Sequence, residues 1–133
     1  MSHAFALLVL LPGEDIDVVM NRWSWRHKDG FWRNWCIGGG RCAGSLNLKE
    51  GSRTEPKANL SNFVWKGTDI EELKKHHPRA SDRGYKGDIE NLEELNFEFI
   101  ITKDKFIEPI GPFYPYIKDL PDDVELICVD MLY

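Results

Sequence analysis

Hydrophobic residues near both ends of the chain form runs long enough to be buried strands. Residues Ala4 to Leu11 are continuously apolar, a pattern typical of a strand covered on both faces. Residues Val124 to Leu132 combine Val, Leu, Ile and Cys, and Asp130 is expected near one end of that strand. Shorter strands are predicted within residues 31–37 and 97–107.

Helical spacing appears in three other segments. After Gly13, four apolar residues recur at positions i, i+3, i+4 and i+7, namely Ile16, Val19, Met20 and Trp23. Thr68 and Glu71 have the spacing of a capping box, which predicts a helix that ends before Pro78. A further helix is predicted from an Asp88 cap, with a buried stripe of Ile89, Leu92 and Leu95.

These elements together predict an α+β fold. We expect one domain over residues 1–133, with a small mixed or antiparallel sheet built from residues 4–11, 31–37, 97–107 and 124–132. Two or three short helices should pack mainly on one face of that sheet. The composition agrees with a single globular domain, since 42% of the 133 residues are hydrophobic and 29% are charged.

Charge and cysteine usage narrow the classes of function. The net charge of −5 argues against bulk nucleic-acid binding, although residues 22–42 carry five basic side chains against one acidic side chain. The first apolar run is about half the ~20 residues that a membrane helix needs. An odd number of cysteines, three, argues against a secreted disulfide framework. We therefore expect a protein of the reducing cytoplasm, with no membrane association.

The segment from Trp32 to Gly44 is the strongest candidate for a binding site. Three consecutive glycines, Gly38, Gly39 and Gly40, precede Arg41, so backbone N–H groups and a guanidinium could converge on an anion. Rings such as Trp32 and Trp35 stack on bases when they are exposed. The segment therefore predicts a nucleotide-like anionic ligand. Glycine runs also serve turns and close strand packing, and neither a Walker motif nor GxGxxG is present.

Other chemistry-bearing residues form weaker patterns. Cys36 and Cys42 are separated by five residues, which is not the spacing of a structural zinc site, so neither a metal site nor a cofactor is predicted. His76 and His77 fit a solvated helix end. A nucleophile formed by Cys36 with His27 is conceivable, but buried, reduced cysteine is much commoner than a reactive thiolate. No catalytic residue is assigned from the sequence.

Two segments resemble an uncharacterised family of small phage and bacterial proteins. Residues 34–44, NWCIGGGRCAG, are similar to the family pattern WDWYxIGGRWxG, and residues 120–131, LPDDVELICVDM, are similar to LPDDTxLTVVDCH. The chain departs from the family at Cys36, Cys42 and the final Cys-His pair. The resemblance adds Asp130 to the candidate site residues and implies phage-associated biology, but it implies no particular activity.

Three functions follow from these observations. The first is a non-enzymatic protein that binds an anionic, base-containing small molecule, with Gly38 to Arg41 on the phosphate and Trp32 or Trp35 on the base. In a phage setting, such a protein would sequester a defence signal of the host. The second is an inhibitor that binds a host protein through Trp and Arg anchors. The third is a small enzyme that uses Cys36 or Asp130 on a nucleotide.

Overall fold

The first and last strands of the chain lie side by side at the centre of the fold. The computed structural model describes residues 3–24, 32, 34–59 and 75–132. Within these residues the strands are, in chain order, β1 His3–Leu10, β2 Asn34–Ile37, β3 Leu46–Asn47, β4 Ala80–Ser81, β5 Arg83–Tyr85, β6 Phe99–Ile101, β7 Phe106–Ile107 and β8 Glu125–Leu132. The α-helix α1 spans Ile16–Asn21, and 3₁₀ turns span Gly40–Cys42, Lys86–Asp88, Leu92–Glu94 and Tyr114–Tyr116.

The main sheet is mixed, with the order β2-β8-β1-β6-β7. β8 runs antiparallel to β1 over its whole length, from Leu132 opposite His3 to Glu125 opposite Leu10. On its other side β1 pairs in parallel with β6. β2 and β5 lie end to end along the outer edge of β8, and β3 pairs with β4 separately. Both faces of β1 and β8 are covered, because a hydrophobic core lies on each side of the sheet, and this explains the continuous apolar runs of the two strands.

Alternate side chains of β1 and β8 enter two separate hydrophobic cores. Packed beneath the loops and 3₁₀ turns, the first core includes Leu7, Val9, Leu126 and Cys128. The second core lies beneath α1 and includes Leu8, Ile127, Val129, Val19 and Met20. Each strand residue therefore faces one core or the other, as the period of two requires.

The helix predicted after Gly13 is confirmed as α1. The Asp15 carboxylate caps it by accepting hydrogen bonds from the N–H groups of Asp17 and Val18. Trp23 lies beyond its last residue but is 7% exposed, and the Trp23 Nε1–H donates to the Thr102 carbonyl at 3.0 Å. The apolar stripe of α1 thus closes the second core.

The predicted α+β class, with two or three helices on one face, is wrong. The described residues form mostly sheet, with one short complete α-helix and a few 3₁₀ turns. The helix predicted from Asp88 is absent because Ile89 is extended and forms a β-bridge with Leu48. Residues 68–74 of the helix predicted from Thr68 lie outside the described residues, and residues 75 and 76 are helical.

The predicted strand segments each contain a strand, although their bounds differ. β1 and β8 occupy nearly all of residues 4–11 and 124–132, and β6 and β7 lie within 97–107. In the segment 31–37, β2 begins only at Asn34, and residues 31 and 33 lie outside the described residues. The sheet is therefore mixed, and its covering layers consist more of loops and turns than of helices.

Candidate functional site

The glycine run lies where two edge strands meet on β8. The Gly38 N–H, directly after β2, donates to the Cys128 carbonyl at 2.9 Å. The Cys128 N–H in turn donates to the carbonyl of Asp82, directly before β5, at 2.8 Å. The first amide of the predicted anion cradle is therefore used in strand pairing.

The side chain of Asp82 fills the space next to Gly38. Its Oδ1 accepts from the Gly44 N–H and its Oδ2 from the Asn59 N–H, both at 2.6 Å. Gly38 has a φ of +65°, and a Cβ added there would lie 2.0 Å from Asp82 Oδ2. Burial raises the pKa of the Asp82 carboxyl above its ordinary 3.8, while the two N–H donors act in the opposite direction. Only glycine fits against this carboxylate.

The next two glycines pack against a second buried carboxylate, that of Asp130. A Cβ at Gly39 would lie 2.5 Å from Cys36 Sγ and 2.8 Å from Asp130 Oδ2. A Cβ at Gly40, whose φ is +55°, would lie 3.2 Å from Asp130 Oδ2. A phosphate at the run would meet two like charges, so this geometry favours the packing role of the glycines over the anion-binding role.

The two predicted stacking rings differ in exposure. Trp32 is 1% exposed and lies in the second core, with its ring centroid 5.8 Å from that of Phe106, so it offers no open face to a ligand. Trp35, on β2, is only partly buried. The backbone of Arg41 lies in the 3₁₀ turn Gly40–Cys42, and its side chain is outside the described part of the structure.

Asp130 makes a hydrogen-bonded pair with His3. His3 Nδ1 lies 2.9 Å from Asp130 Oδ1 and 3.2 Å from Oδ2. The Asp130 side chain is 9% exposed and that of His3 is 55% exposed. An ionised carboxylate can only accept, so Nδ1 carries the proton in this pair. Nε2 is then the free ring nitrogen, an acceptor in the neutral ring and a donor in the imidazolium.

A pocket of about 180 Å³ opens beside this pair. Its lining residues are His3, Asn34, Trp35, Cys36, Asp130 and Leu132, and we call it the His3 pocket. Strand register brings them together, because β8 places Leu132 opposite both His3 and Asn34, and Asp130 opposite Cys36. Residues two apart on a strand share a face, so the side chains of His3, Asn34, Cys36, Asp130 and Leu132 lie on one face of the sheet. The side chain of Trp35, which is opposite Met131, lies on the other face and packs against the second core.

Asn34 presents one end of its amide to this pocket. Asn34 Oδ1 accepts from the Trp35 backbone N–H at 2.9 Å. Its NH₂ group is therefore the end left to donate to a ligand. The His3 pocket thus combines a side-chain amide donor with an oriented imidazole.

The thiol of Cys36 is exposed at the pocket wall, but its surroundings disfavour the thiolate. Partial burial is the largest cause that raises the pKa of Cys36, and the charges of Asp130 and Asp82 raise it further. A hydrogen bond from the Gly39 N–H lowers this pKa but does not reverse the shift. Burial and the same carboxylates raise the pKa of Cys42 to about 12, and its Sγ–H donates to the Gly39 carbonyl at 3.0 Å. A protonated thiol is a poor nucleophile, so the Cys36 enzyme hypothesis gains no support. Its proposed partner, His27, lies outside the described residues.

A second pocket, of about 380 Å³, lies at the junction of β2 and β5. It is lined by Ile37, Lys57, Ala58, Asn59, Asp82 and Arg83. The Arg83 guanidinium makes two hydrogen bonds to the Glu125 carboxylate, at 2.8 and 2.7 Å. This cation is thus already neutralised by the protein itself.

Sequence reasoning identified Trp35 and Asp130 of the His3 pocket but missed His3 and Asn34. His3 and Asp130 are 127 positions apart, so no local motif joins them. The two long apolar runs are the feature from which this contact could have been predicted. If they pair as antiparallel strands, the start of the first run lies beside the end of the last run, which brings His3 close to Asp130. The other histidine pair, His76 and His77, is exposed and distant in sequence from these strands.

Two further properties concern the described residues as a whole. No group of three or more His, Cys, Asp or Glu side chains among them is arranged to hold a metal ion. No helix in the described ranges is long and apolar enough to cross a membrane. In comparisons with known proteins, no family model, no curated protein and no solved structure matches this chain.

Proposed function

We propose that this protein binds a small molecule with a planar ring in the His3 pocket. The observation that carries the proposal is the His3–Asp130 hydrogen bond at the edge of a pocket of about 180 Å³. Asp130 holds the imidazole in one orientation, so its hydrogen bond to a ligand costs little ordering entropy. Nε2 of His3 and the NH₂ group of Asn34 can bond to the nitrogen and oxygen atoms of a heterocyclic ring.

The size of the pocket limits the ligand to about one ring. Pockets that bury a drug-sized ligand usually measure roughly 300–1,000 Å³, whereas the His3 pocket measures about 180 Å³. Of a nucleotide-like ligand, the pocket therefore fits the base and not the whole molecule. The sugar and any phosphate would lie outside it.

The charge of the lining selects against an anionic group inside the pocket. Among the residues that the structure describes, the lining includes one buried carboxylate, that of Asp130, and neither Lys nor Arg. The ring itself should therefore be uncharged and rich in hydrogen-bonding nitrogen and oxygen atoms. Binding of a phosphate by Gly38, Gly39, Gly40 and Arg41 stays a prediction.

Titration calorimetry with nucleobases, nucleosides and nucleoside monophosphates tests the proposal. We expect saturable binding that is lost in His3→Gln and weakened in Asn34→Ala, while His77→Gln, a change of an exposed histidine, leaves it intact. If the monophosphate binds no more tightly than its nucleoside, the ring is the recognised part. A monophosphate advantage that disappears in Arg41→Ala would assign the phosphate to the glycine segment.

A lack of binding across the panel would contradict the proposal. The hypothesis of a host-protein inhibitor would then have to rely on other surfaces, because Trp23 and Trp32 are 7% and 1% exposed. Urea unfolding of each variant shows whether lost binding reflects lost stability.

A further inference from the structure

We propose that the His3 pocket also hydrolyses an uncharged ester, with His3 as the general base. This inference rests on the proposed function, because the ester would occupy the same pocket as the ligand. It extends that function from binding to turnover. The geometry supplies three of the parts that acyl hydrolysis needs: a base, a group that orients the base and a donor for the developing negative charge.

Asp130 is the positioning residue for this base. It lies on β8 with Phe5 of β1 opposite on one side and Cys36 of β2 on the other, so neighbouring strands fix its backbone on both sides. Its carboxylate accepts the Nδ1–H of His3 at 2.9 Å. Nε2, on the opposite side of the ring, is left to take a proton from water, and the buried carboxylate stabilises the imidazolium that forms.

Asn34 supplies the donor. Its Oδ1 is occupied by the Trp35 N–H, and its NH₂ group donates to no described residue. A side-chain amide of this kind stabilises an oxyanion when it lies near the carbonyl oxygen of the substrate. The strand register places Asn34 and His3 opposite the same residue, Leu132, on the two sides of β8.

The reaction is ordinary general-base ester hydrolysis. Nε2 of His3 removes a proton from water while the water oxygen bonds to the carbonyl carbon. The carbonyl oxygen becomes an oxyanion that accepts a hydrogen bond from Asn34. The tetrahedral intermediate then breaks its bond to the leaving oxygen, which takes the proton back from the imidazolium. The products are a carboxylic acid and an alcohol, and His3 returns to its neutral form.

The lining favours water as nucleophile and an uncharged carbonyl compound as substrate. Burial and the charges of Asp130 and Asp82 raise the pKa of the Cys36 thiol, so the thiolate is scarce at neutral pH. A phosphate ester would bring negative charge next to Asp130, and none of the described lining residues is a Lys or Arg that could offset it. An uncharged ester avoids that repulsion.

The test is release of para-nitrophenolate from para-nitrophenyl acetate, whose ring is the size of a single aromatic group. We expect the wild-type chain to exceed the same concentration of free imidazole by at least about a hundredfold, the lower end of what a positioned base contributes. The rate of His3→Gln should fall to the imidazole level. His77→Gln removes an exposed histidine and should keep the wild-type rate.

Two further readouts separate a catalytic from a structural role of these residues. Asp130→Asn should lower kcat at least about tenfold with little change in KM, because the imidazolium loses the negative charge that stabilises it and the amide NH₂ group can turn toward Nδ1. Added imidazole should restore part of the rate in His3→Ala, where the cavity left by the side chain can admit it.

Equal rates for wild type and His3→Gln, or a wild-type rate no greater than that of imidazole, would overturn the catalytic inference. If calorimetry still shows ring binding in that case, the binding proposal stands and only turnover is lost. If neither binding nor turnover occurs, both proposals are wrong. His3 is half exposed, so its replacement should leave the unfolding midpoint near the wild-type value, which urea titration checks.

Discussion

Replacement of Gly38 by alanine should destabilise the protein much more than the same change at other glycines with positive φ. The new Cβ would lie 2.0 Å from Asp82 Oδ2 and 2.2 Å from its Cγ. The carboxylate would have to move by at least about 1.4 Å to reach a normal contact distance. Its hydrogen bonds to the Gly44 and Asn59 N–H groups, both 2.6 Å long, cannot both survive that movement.

The expected loss has two parts. A non-glycine residue in the left-handed region costs about 1–2 kcal/mol. One lost hydrogen bond to a charged group costs about 1.5–3 kcal/mol. Together, Gly38→Ala should lower the free energy of unfolding by about 3–5 kcal/mol, a large share of the ~5–15 kcal/mol that stabilises a typical domain.

Gly51→Ala is the matched control. Gly51 has a φ of +78° and nothing within 4 Å of its would-be Cβ, so it should lose only the conformational part, about 1–2 kcal/mol. Urea unfolding followed by tryptophan fluorescence gives both free energies, provided that the m-values agree.

A second comparison tests whether Asp82 is the cause of the difference. In an Asp82→Ala background the obstructing carboxylate is gone, so Gly38→Ala should cost no more than Gly51→Ala. If Gly38→Ala and Gly51→Ala destabilise the wild-type protein equally, within about 0.5 kcal/mol, the reasoning about the glycine run is refuted.

Three other predictions follow from buried polar groups. Burial raises the pKa of Asp82 above 3.8, so the folded state holds this proton more tightly than the unfolded state, and the resulting stability is present below pH 3.8 and is lost as pH rises through the folded pKa. The free energy of unfolding of the wild type minus that of Asp82→Asn should therefore decline as pH rises above 3.8. An increase of this difference with pH would contradict the prediction. Iodoacetamide should label Cys36 first and leave the buried Cys42 and Cys128 unlabelled until urea unfolds the chain. Asp130→Asn should speed the labelling of Cys36, because one of the charges that raise the pKa of this thiol is removed. Mass spectrometry of peptides measures both rates, and early labelling of Cys42 would contradict a pKa of about 12 for that thiol. Lys86 is 8% exposed, and its ammonium donates to the carbonyls of Lys118 and Leu120 at 2.7 and 2.5 Å. Lys86→Met leaves both acceptors unpaired and should therefore lower the free energy of unfolding, measured in urea, by at least about 2 kcal/mol. Lys118→Met, at an exposed position, should change that free energy by less than about 0.5 kcal/mol.

The helical pattern at residues 88–95 shows where local spacing misleads. Ile89, Leu92 and Leu95 recur as they would on a helix, but Ile89 bridges Leu48 and Asn91 bonds to the backbone of the segment that includes Ser45 and Asn47. Those contacts satisfy the backbone and side-chain groups without a helix. Tertiary pairing therefore overrides a three-residue apolar pattern.

The candidate site was partly predictable for a similar reason. Trp35 and the glycine run attract notice in the sequence because of their residue types, and the resemblance points to Asp130. Nothing in the sequence says that the glycines meet Asp82 and Asp130 instead of a ligand. Nor does it say that Trp32 is buried while Trp35 is only partly so.

By itself the sequence determined the local elements: the long apolar runs of β1 and β8, and the helix α1 that begins after the Asp15 cap. Only the tertiary structure decided that β1 and β8 pair in the register that sets His3 beside Asp130. Local elements follow from periodicity and capping, which act between near neighbours in the chain. Strand register depends on how all the side chains of a face pack at once, and no short window of sequence contains that information.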